Sequence, residues 1–206
     1  MTAGAQGGMT RAGESGAAKA PLRESLQAAR AGATPPAGDR TARALARTAG
    51  SDVVACYASG PGEPDTWALI DALVASGIRV LLPVLRRDPD WAWYAGAAQL
   101  RPSWRGILEP TTGRLGPEAL READWIWVPG LAGTPSGDRL GTGVGWYDRA
   151  LAHAGPRARI GLLLHDGEVL DELPTDPWDR RVQVILTATG DWDCAGGQHR
   201  TEEHAE

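Results

Sequence analysis

The chain has 206 residues, which is enough for one domain with a hydrophobic core of ordinary size. Its net charge of −5 provides no basic field for nucleic acid, and no apolar run is long enough to span a bilayer. Cys56 and Cys194 are too few and too far apart to predict a disulfide framework or a metal cluster. We therefore expect a cytoplasmic protein without nucleic-acid or membrane partners.

Composition divides the chain into three regions. Residues 1–18 are small and polar, show no periodicity and lack the hydrophobic core of a signal peptide, so they are predicted to form a disordered extension. Residues 19–190 alternate between strand-like and helix-like patterns and are predicted to form a single α/β domain. Residues 191–206 are polar and are predicted to form a flexible tail.

The first predicted helix runs from Lys19 to Arg30, and residues 31–38 form a linker to a second helix over 39–49. Pro21 lies in the first turn, where its missing N–H is harmless. Lys19 is the only lysine among 21 basic side chains. A lone lysine either arises by chance or serves a role that needs a compact ammonium, and the sequence leaves both interpretations open.

Short apolar runs separated by helical segments predict a parallel sheet with right-handed crossovers. The expected strands cover residues 52–57, 78–85, 91–94, 124–128, 159–164 and 182–187. A helix over 67–76 is expected between the first two strands. In sheets of this kind ligands bind beyond the carboxyl ends of the strands, so we expect Glu63, Asp148 and Asp179 to meet there.

Three glycines at alternate positions, Gly141, Gly143 and Gly145, lie between a predicted strand and a predicted helix. Alternate glycines let successive N–H groups turn inward around a phosphate, and the start of a helix favours an anion. Arg139 precedes the glycines and adds positive charge, and Asp148 follows them and can hold a cation. The pattern matches neither a Walker A motif nor a Rossmann fingerprint, and it is also typical of a plain tight turn. A phosphate cradle and a tight turn stay open as alternatives at this point.

Several motifs follow one another along the chain: Lys19-x-x-Leu-Arg23, Glu63-x-Asp-Thr66, Gly106-Ile-Leu-Glu-Pro110, Val128-Pro-Gly-Leu-Ala132, Arg139-Leu-Gly-x-Gly-x-Gly-x-Tyr-Asp148 and Leu173-Pro-x-x-x-Trp-Asp179. In this order they resemble the 5-formyltetrahydrofolate cyclo-ligase family, and the order is more specific than any single motif. The likeness extends from about Lys19 to Thr189. It implies a three-layer α/β/α sandwich with a mostly parallel sheet, similar to ribose-5-phosphate isomerase A and CoA-transferase domains.

The resemblance implies an ATP- and Mg²⁺-dependent reaction. Its substrate is 5-formyltetrahydrofolate, with or without a polyglutamate tail, and its products are 5,10-methenyltetrahydrofolate, ADP and phosphate. In the family's route the formyl oxygen takes the γ-phosphoryl group of ATP, N10 attacks the activated carbon, and phosphate leaves as the ring closes. This chemistry needs positioning and positive charge rather than a covalent nucleophile. We expect the protein to act as a monomer.

The resemblance also implies roles for individual residues. ATP would be bound by Lys19, Arg23, Arg139, Leu140, Gly141, Thr142, Gly143, Val144, Gly145, Trp146 and Tyr147. The folate would be bound by Ala58, Glu63, Gly143, Gly145 and Tyr147. Trp104 is added on chemical grounds, as an aromatic side chain that either stacks on the folate or packs in the protein.

The resemblance also implies which charged residues act at the reacting groups. Arg139 and Lys19 would be catalytic through their positive charge, and Asp148 and Asp179 would hold Mg²⁺. On physical grounds alone, Asp148 could instead stabilise the start of its helix, and Asp179 could cap a turn.

The sequence departs from the family pattern at a few positions. Gly133 and Thr134 replace the usual Phe-Asp pair, Thr142 and Trp146 replace tyrosines of the glycine loop, and Glu168 stands near a usual glutamine. A folate- or nucleotide-binding protein that has lost turnover is therefore a second hypothesis. A sugar-phosphate or CoA-using enzyme of related architecture is a third, and the first helix and the last motif argue against it.

Overall fold

The computed structural model of the chain describes residues 8–32, 39–194 and 198–200. Its helices are α1 (Gly8–Gly32), α2 (Arg40–Arg47), α3 (Trp67–Ala75) and α4 (Trp146–Leu151). Its strands are β1 (Val53–Ala55), β2 (Arg79–Pro83), β3 (Trp91–Trp93), β4 (Leu100–Pro102), β5 (Leu108–Pro110), β6 (Trp125–Val128), β7 (Ala132–Gly133), β8 (Arg139–Leu140), β9 (Arg159–Leu163), β10 (Val184–Leu186), β11 (Asp191–Asp193) and β12 (Gln198–Arg200). Short 3₁₀ turns cover Ala97–Gln99, Trp104–Gly106 and Pro117–Glu122. Within the described residues, no helix has both the length and the apolar character needed to cross a membrane.

Eight strands form one sheet in the order β12-β11-β10-β9-β6-β1-β2-β3. The strands from β10 to β2 in this order are parallel, whereas β3 pairs antiparallel at one edge and β11 and β12 pair antiparallel at the other. The prediction of a mixed α/β fold with a mostly parallel sheet is therefore confirmed. The pairs β4–β5 and β7–β8 are separate antiparallel ribbons beside this sheet.

Helices cover both faces of the sheet. Successive side chains of a strand point to opposite faces. In β6, Ile126 and Val128 pack in a core with α4, whereas Trp125 and Trp127 pack in a second core with α2 and α3. The predicted α/β/α layering is confirmed, and the expected likeness to ribose-5-phosphate isomerase A and CoA-transferase domains stays a prediction.

Part of each region that was predicted to be unstructured has regular secondary structure. Helix α1 begins at Gly8, so residues 8–18 are helical; their alanine, methionine and arginine favour a helix although they lack an apolar periodicity. The predicted flexible tail contributes β11 and β12, because Trp192 packs against the core and Arg47 pairs with both aspartates of β11. The remaining parts of these regions and of the predicted linker, residues 1–7, 33–38, 195–197 and 201–206, lie outside the described residues.

Candidate active site

A cavity of about 740 Å³ lies beyond the carboxyl ends of β1, β2 and β6, as expected for a parallel sheet. The predicted site residues that line it are Lys19, Arg23, Glu63, Trp104, Arg139, Leu140, Gly141, Thr142, Gly143, Val144, Gly145, Trp146, Tyr147, Asp148 and Asp179. Ala58 is the exception, because it is 3% exposed and lies outside this lining. The fold therefore brings α1, the glycine loop and the last motif to one place.

The glycine loop, residues 141–145, presents free donors to the cavity. Gly143 and Gly145 have φ angles of 94° and 67°, which residues with a Cβ rarely adopt. Within the described residues, no hydrogen bond engages the backbone N–H groups of residues 142–144. Arg23 of α1 lies over the loop, since its Nε donates a hydrogen bond to the first glycine's carbonyl at 2.9 Å. Unpaired N–H groups beside a guanidinium suit an anion such as phosphate.

Arg139 and Asp148 form an ion pair at the same loop. Arg139 Nη2 lies 2.5 Å from Asp148 Oδ1, and Arg139 Nη1 donates a hydrogen bond to the Pro129 carbonyl at 3.2 Å. The Arg139 side chain is 6% exposed and that of Asp148 is 35% exposed. Arg139 Nε is buried and has no hydrogen-bond partner within the described part of the chain. The pair therefore leaves one oxygen of Asp148 without a hydrogen bond within the described residues, whereas the unpaired Nε of Arg139 is enclosed by the protein.

Lys19 is buried between two carboxylates. Its Nζ donates hydrogen bonds to Oδ2 of Asp176 and to Oδ2 of Asp179, both at 2.6 Å. Burial lowers the pKa of Lys19, but the hydrogen bonds and charges of the two aspartates outweigh burial, so the pKa is raised and the ammonium is charged at neutral pH. A predicted ATP ligand and a predicted metal ligand are thus in direct contact.

Asp176 is a site residue that the sequence analysis missed. Its N–H donates to Asp179 Oδ2 at 2.8 Å, and the Asp179 N–H donates to the Asp176 carbonyl at 3.0 Å. Aspartate followed by Pro177 is typical of a type I turn, and this signal could have placed the two carboxylates together. The turn-capping role that the sequence left open for Asp179 is present in the structure.

Glu63 and Tyr147 also line the cavity, and both residues are partly exposed. Glu63 Oε2 accepts a hydrogen bond from the Gly60 N–H at 2.8 Å; burial raises the pKa of Glu63, although this N–H and the charge of Arg30 act in the opposite direction. The Tyr147 hydroxyl is buried without a hydrogen-bond partner among the described residues, and burial raises its pKa. Trp104, which is 50% exposed, adds an aromatic face. These groups suit a flat heterocycle that carries hydrogen-bonding groups.

Replacing Glu63 with glutamine is expected to stabilise the folded protein at neutral pH. Burial raises the pKa of Glu63 above its ordinary value of 4.5, so the folded state holds the proton more tightly than the unfolded state does. The natural chain therefore loses stability as the pH rises through the interval between the two pKa values, whereas glutamine does not ionise. Urea unfolding at about pH 5 and about pH 8 should show the larger gain at the higher pH. Glu172→Gln, at an exposed carboxyl, is the control, and an equal gain at both pH values would contradict the argument.

The sequence analysis also missed a buried ion pair that fixes the end of α1. Arg30 Nε lies 2.6 Å from Glu168 Oε1, and both side chains are 9% exposed. Arg30 Nη2 also donates to the Gly130 carbonyl at 2.6 Å, and the other Glu168 oxygen accepts the His165 N–H at 2.8 Å. Glu168, which departs from the family pattern, is therefore neutralised by Arg30. The sequence analysis missed this pair because no local pattern links two residues 138 positions apart.

Arg86 and Arg87 form a further wall of the cavity that the sequence analysis did not include. Arg86 Nη2 lies 2.9 Å from Glu109, whose side chain is 2% exposed, and the Arg86 carbonyl accepts a hydrogen bond from Trp146 Nε1 at 3.1 Å. Arg101 pairs with the same Glu109 carboxylate at 2.9 Å. Glu109 therefore joins the loop after β2 to the β4–β5 ribbon and fixes this wall.

The departures at Gly133 and Thr134 lie outside the cavity lining. Thr134 is fully buried in the β7–β8 ribbon, where its Oγ1 accepts the Asp138 N–H at 3.1 Å. A Cβ on Gly133 would come within 2.8 Å of methyl groups of Leu162 and Ile185, so a larger residue here would require these core side chains to shift. Both departures therefore concern the fold of the ribbon, and they no longer support loss of turnover.

Comparisons with known proteins agree with the sequence resemblance. The family described as the 5-formyltetrahydrofolate cyclo-ligase family matches residues 15–188. The 5-formyltetrahydrofolate cyclo-ligase of Mycolicibacterium smegmatis is 40% identical over 141 residues, which cover 65% of this chain and 72% of the relative. The residues that line the cavity all lie within the range that the family matches.

Solved structures of two proteins have a similar fold. The NMR structure of Aquifex aeolicus 5,10-methenyltetrahydrofolate synthetase aligns with a TM-score of 0.72 and 26% identity, covering 90% of this chain and 97% of that one. A 5,10-methenyltetrahydrofolate synthetase from Mycoplasma pneumoniae aligns with a TM-score of 0.64 and 18% identity, covering 82% and 97%. The second likeness shows a shared fold.

Proposed function

Because the chain belongs to the 5-formyltetrahydrofolate cyclo-ligase family, we propose that it catalyses the ATP-dependent conversion of 5-formyltetrahydrofolate to 5,10-methenyltetrahydrofolate, with release of ADP and phosphate. The observation that carries this proposal is that motifs from both ends of the chain line one and the same cavity. Its lining combines cations and free N–H groups with a carboxyl and aromatic rings. The first set suits a triphosphate and the second suits a folate.

In this proposal Lys19, Arg23 and Arg139 hold the transferring phosphoryl group together with the N–H groups of the glycine loop. A formamide oxygen is a poor nucleophile and its carbon is a poor electrophile. Transfer of the γ-phosphoryl group to the formyl oxygen makes that carbon open to attack by N10, and phosphate then leaves as the ring closes. Glu63, Tyr147 and Trp104 orient the folate in this proposal.

We propose Mg²⁺ as the cation of this reaction. Asp148 and Asp179 both line the cavity, and one oxygen of each has no hydrogen bond within the described residues. Carboxylate oxygens, together with phosphate oxygens and water, are the ligands that Mg²⁺ prefers, so the residues present fit the ion. Bound there, it would neutralise charge on the phosphates.

We propose further that the protein acts as a monomer in the cytoplasm on folates with or without a polyglutamate tail. Cys56 and Cys194 are both free, which agrees with a reducing compartment.

The test is to incubate the purified protein with 5-formyltetrahydrofolate, ATP and Mg²⁺ and to follow the absorbance of the methenyl product. We expect product only when all three are present. Tight binding of folate without product would favour the hypothesis of a binding protein that has lost turnover. The absence of both binding and product would overturn the proposal.

Replacing Asp148 with asparagine is expected to raise the Mg²⁺ concentration needed for half-maximal activity by about tenfold, because an amide is a weaker ligand than a carboxylate. Activity titrated with Mg²⁺ at saturating ATP measures this. Glu118→Gln is the control, since Glu118 is 65% exposed and pairs with His153 outside the cavity. An unchanged Mg²⁺ requirement in Asp148→Asn would remove Asp148 from the metal site.

A further inference from the structure

The Lys19 ammonium lies between two aspartate side chains, in a space that suits a small cation. Its Nζ lies 2.6 Å from an oxygen of Asp176 and from an oxygen of Asp179, and the Lys19 side chain is 7% exposed. An ammonium is a compact point charge, whereas a guanidinium is a broad planar fork. The chain has one lysine among 21 basic side chains, and that lysine occupies this place. The interpretation that the lone lysine serves a role needing a compact charge is therefore favoured over chance.

The Asp179 carboxylate is positioned by the backbone as well as by Lys19, whereas the hydrogen bond that the described residues give the Asp176 carboxylate comes from Lys19. The turn from Asp176 to Asp179 is closed by the Asp176 N–H on Asp179 Oδ2 at 2.8 Å and by the Asp179 N–H on the Asp176 carbonyl at 3.0 Å. The Oδ1 atoms of both carboxylates have no hydrogen bond within the described residues, and both residues line the cavity. The two carboxylates therefore lie side by side at the cavity, and each keeps one oxygen without a hydrogen bond within the described residues.

The lysine and a metal ion would compete for this pair. With Lys19 in place, the side chains are 7%, 10% and 21% exposed for Lys19, Asp176 and Asp179, so two like charges lie close together in a partly dry site. Removing the ammonium leaves that repulsion uncompensated unless another cation enters. Lys19 uses two of its three N–H donors on these carboxylates, so its ammonium has to release them to engage phosphate oxygens fully. Departure of Lys19 and arrival of a cation are therefore coupled.

We propose that Asp176 shares the cation site with Asp179 and Asp148, that Lys19 occupies the Asp176–Asp179 part of it in the free protein, and that Lys19 moves to the phosphates of the nucleotide as Mg²⁺ enters. The proposal rests on the proposed function and adds Asp176 to its metal residues. It gives Lys19 two successive partners, carboxylates before nucleotide binding and phosphate oxygens after it.

The test measures Mn²⁺ binding to the protein without nucleotide or folate, by electron paramagnetic resonance with Mg²⁺ as competitor. Lys19→Met removes the competing ammonium, so the Mn²⁺ dissociation constant is expected to fall by about tenfold or more. Adding Asp176→Asn to Lys19→Met is expected to cancel this gain. The Mn²⁺ titration contains no substrate, so it does not depend on turnover. A failed turnover assay would not contradict the cation site, and a failed Mn²⁺ titration would not contradict the proposed reaction.

Two controls separate the site from general charge effects. Arg23→Met removes another α1 cation, but one that bonds to a carbonyl, so Mn²⁺ affinity should not change. Adding Asp138→Asn to Lys19→Met should keep the gain, since Asp138 lies outside the lining of the glycine-loop cavity and pairs with Arg181. Equal Mn²⁺ affinity in Lys19→Met and the natural chain, or a gain that survives Asp176→Asn, would overturn the proposal.

The test also covers a Lys19→Met protein that does not fold. In that case Asp176→Asn alone is titrated with Mg²⁺ in the presence of a non-hydrolysable ATP analogue. The expected Mg²⁺ affinity is about tenfold weaker than in the natural chain. An unchanged affinity would exclude Asp176 from the site.

Discussion

Replacing Arg139 with alanine is expected to lower kcat/KM for ATP about a thousand-fold in a protein that still folds. Arg139 is 6% exposed, so its charge acts on a ligand with little screening by water. It also fixes the Asp148 carboxylate at 2.5 Å, and its removal therefore disturbs a proposed metal residue as well as the phosphate contact. Initial rates over a range of ATP concentrations measure the effect, and thermal unfolding shows whether the fold is kept.

Arg149→Ala is the matched control for Arg139→Ala. Arg149 is the other arginine that flanks the glycine loop, but it is exposed, and among the described residues it donates only to the backbone carbonyls of Val144 at 3.4 Å and Arg87 at 3.2 Å. Its removal should change kcat/KM by no more than about threefold. Arg139→Lys keeps the charge and loses the planar fork, so it should lie between the two. Similar losses in Arg139→Ala and Arg149→Ala would show that charge near the loop, rather than Arg139, matters.

The central sheet was predictable because its strands are buried on both faces and therefore appear as continuous apolar runs. The run at 159–164 became β9, and the run at 124–128 became β6. The edges were not predictable on this basis. Strand β11 has aspartates on both sides of Trp192, and only its pairing with β10 and the ion pairs with Arg47 give those charges a place in the fold.

The site was predictable to the extent that topology determines it. Loops that follow parallel strands end at one edge of the sheet, and Glu63, Asp148 and Asp179 line one cavity there. The pairing of side chains was not predictable, because it depends on where α1 lies across that edge. Lys19 reaches Asp176 across 157 positions of sequence, and no spacing rule for helices or strands links residues so far apart.

Replacing Gly161 with alanine is expected to destabilise the fold by about 3 kcal/mol, the upper end of the usual range for overpacking a core. Gly161 lies in β9 beside Trp127 of the neighbouring strand β6. A Cβ on Gly161 would lie 2.3 Å and 2.6 Å from two ring carbons of Trp127, which is fully buried. The chain has nine tryptophans and no phenylalanine. The large ring of Trp127 therefore fills this part of the core, and β9 has a glycine opposite it. Equilibrium unfolding in urea measures the loss.

A second substitution shows whether the Trp127 ring is the cause. Trp127→Leu removes the ring and should leave room for the new methyl group, so the double variant Gly161→Ala/Trp127→Leu should be more stable than the sum of the two single effects predicts. Gly113→Ala is the control, because no atom lies within 4 Å of a Cβ at that position, and its effect should stay within about 0.5 kcal/mol. Additive losses in the double variant would contradict the packing argument. Since β6 and β9 lead into the loops that carry Gly130 and Glu168, a shift between these strands should also weaken substrate binding at the cavity.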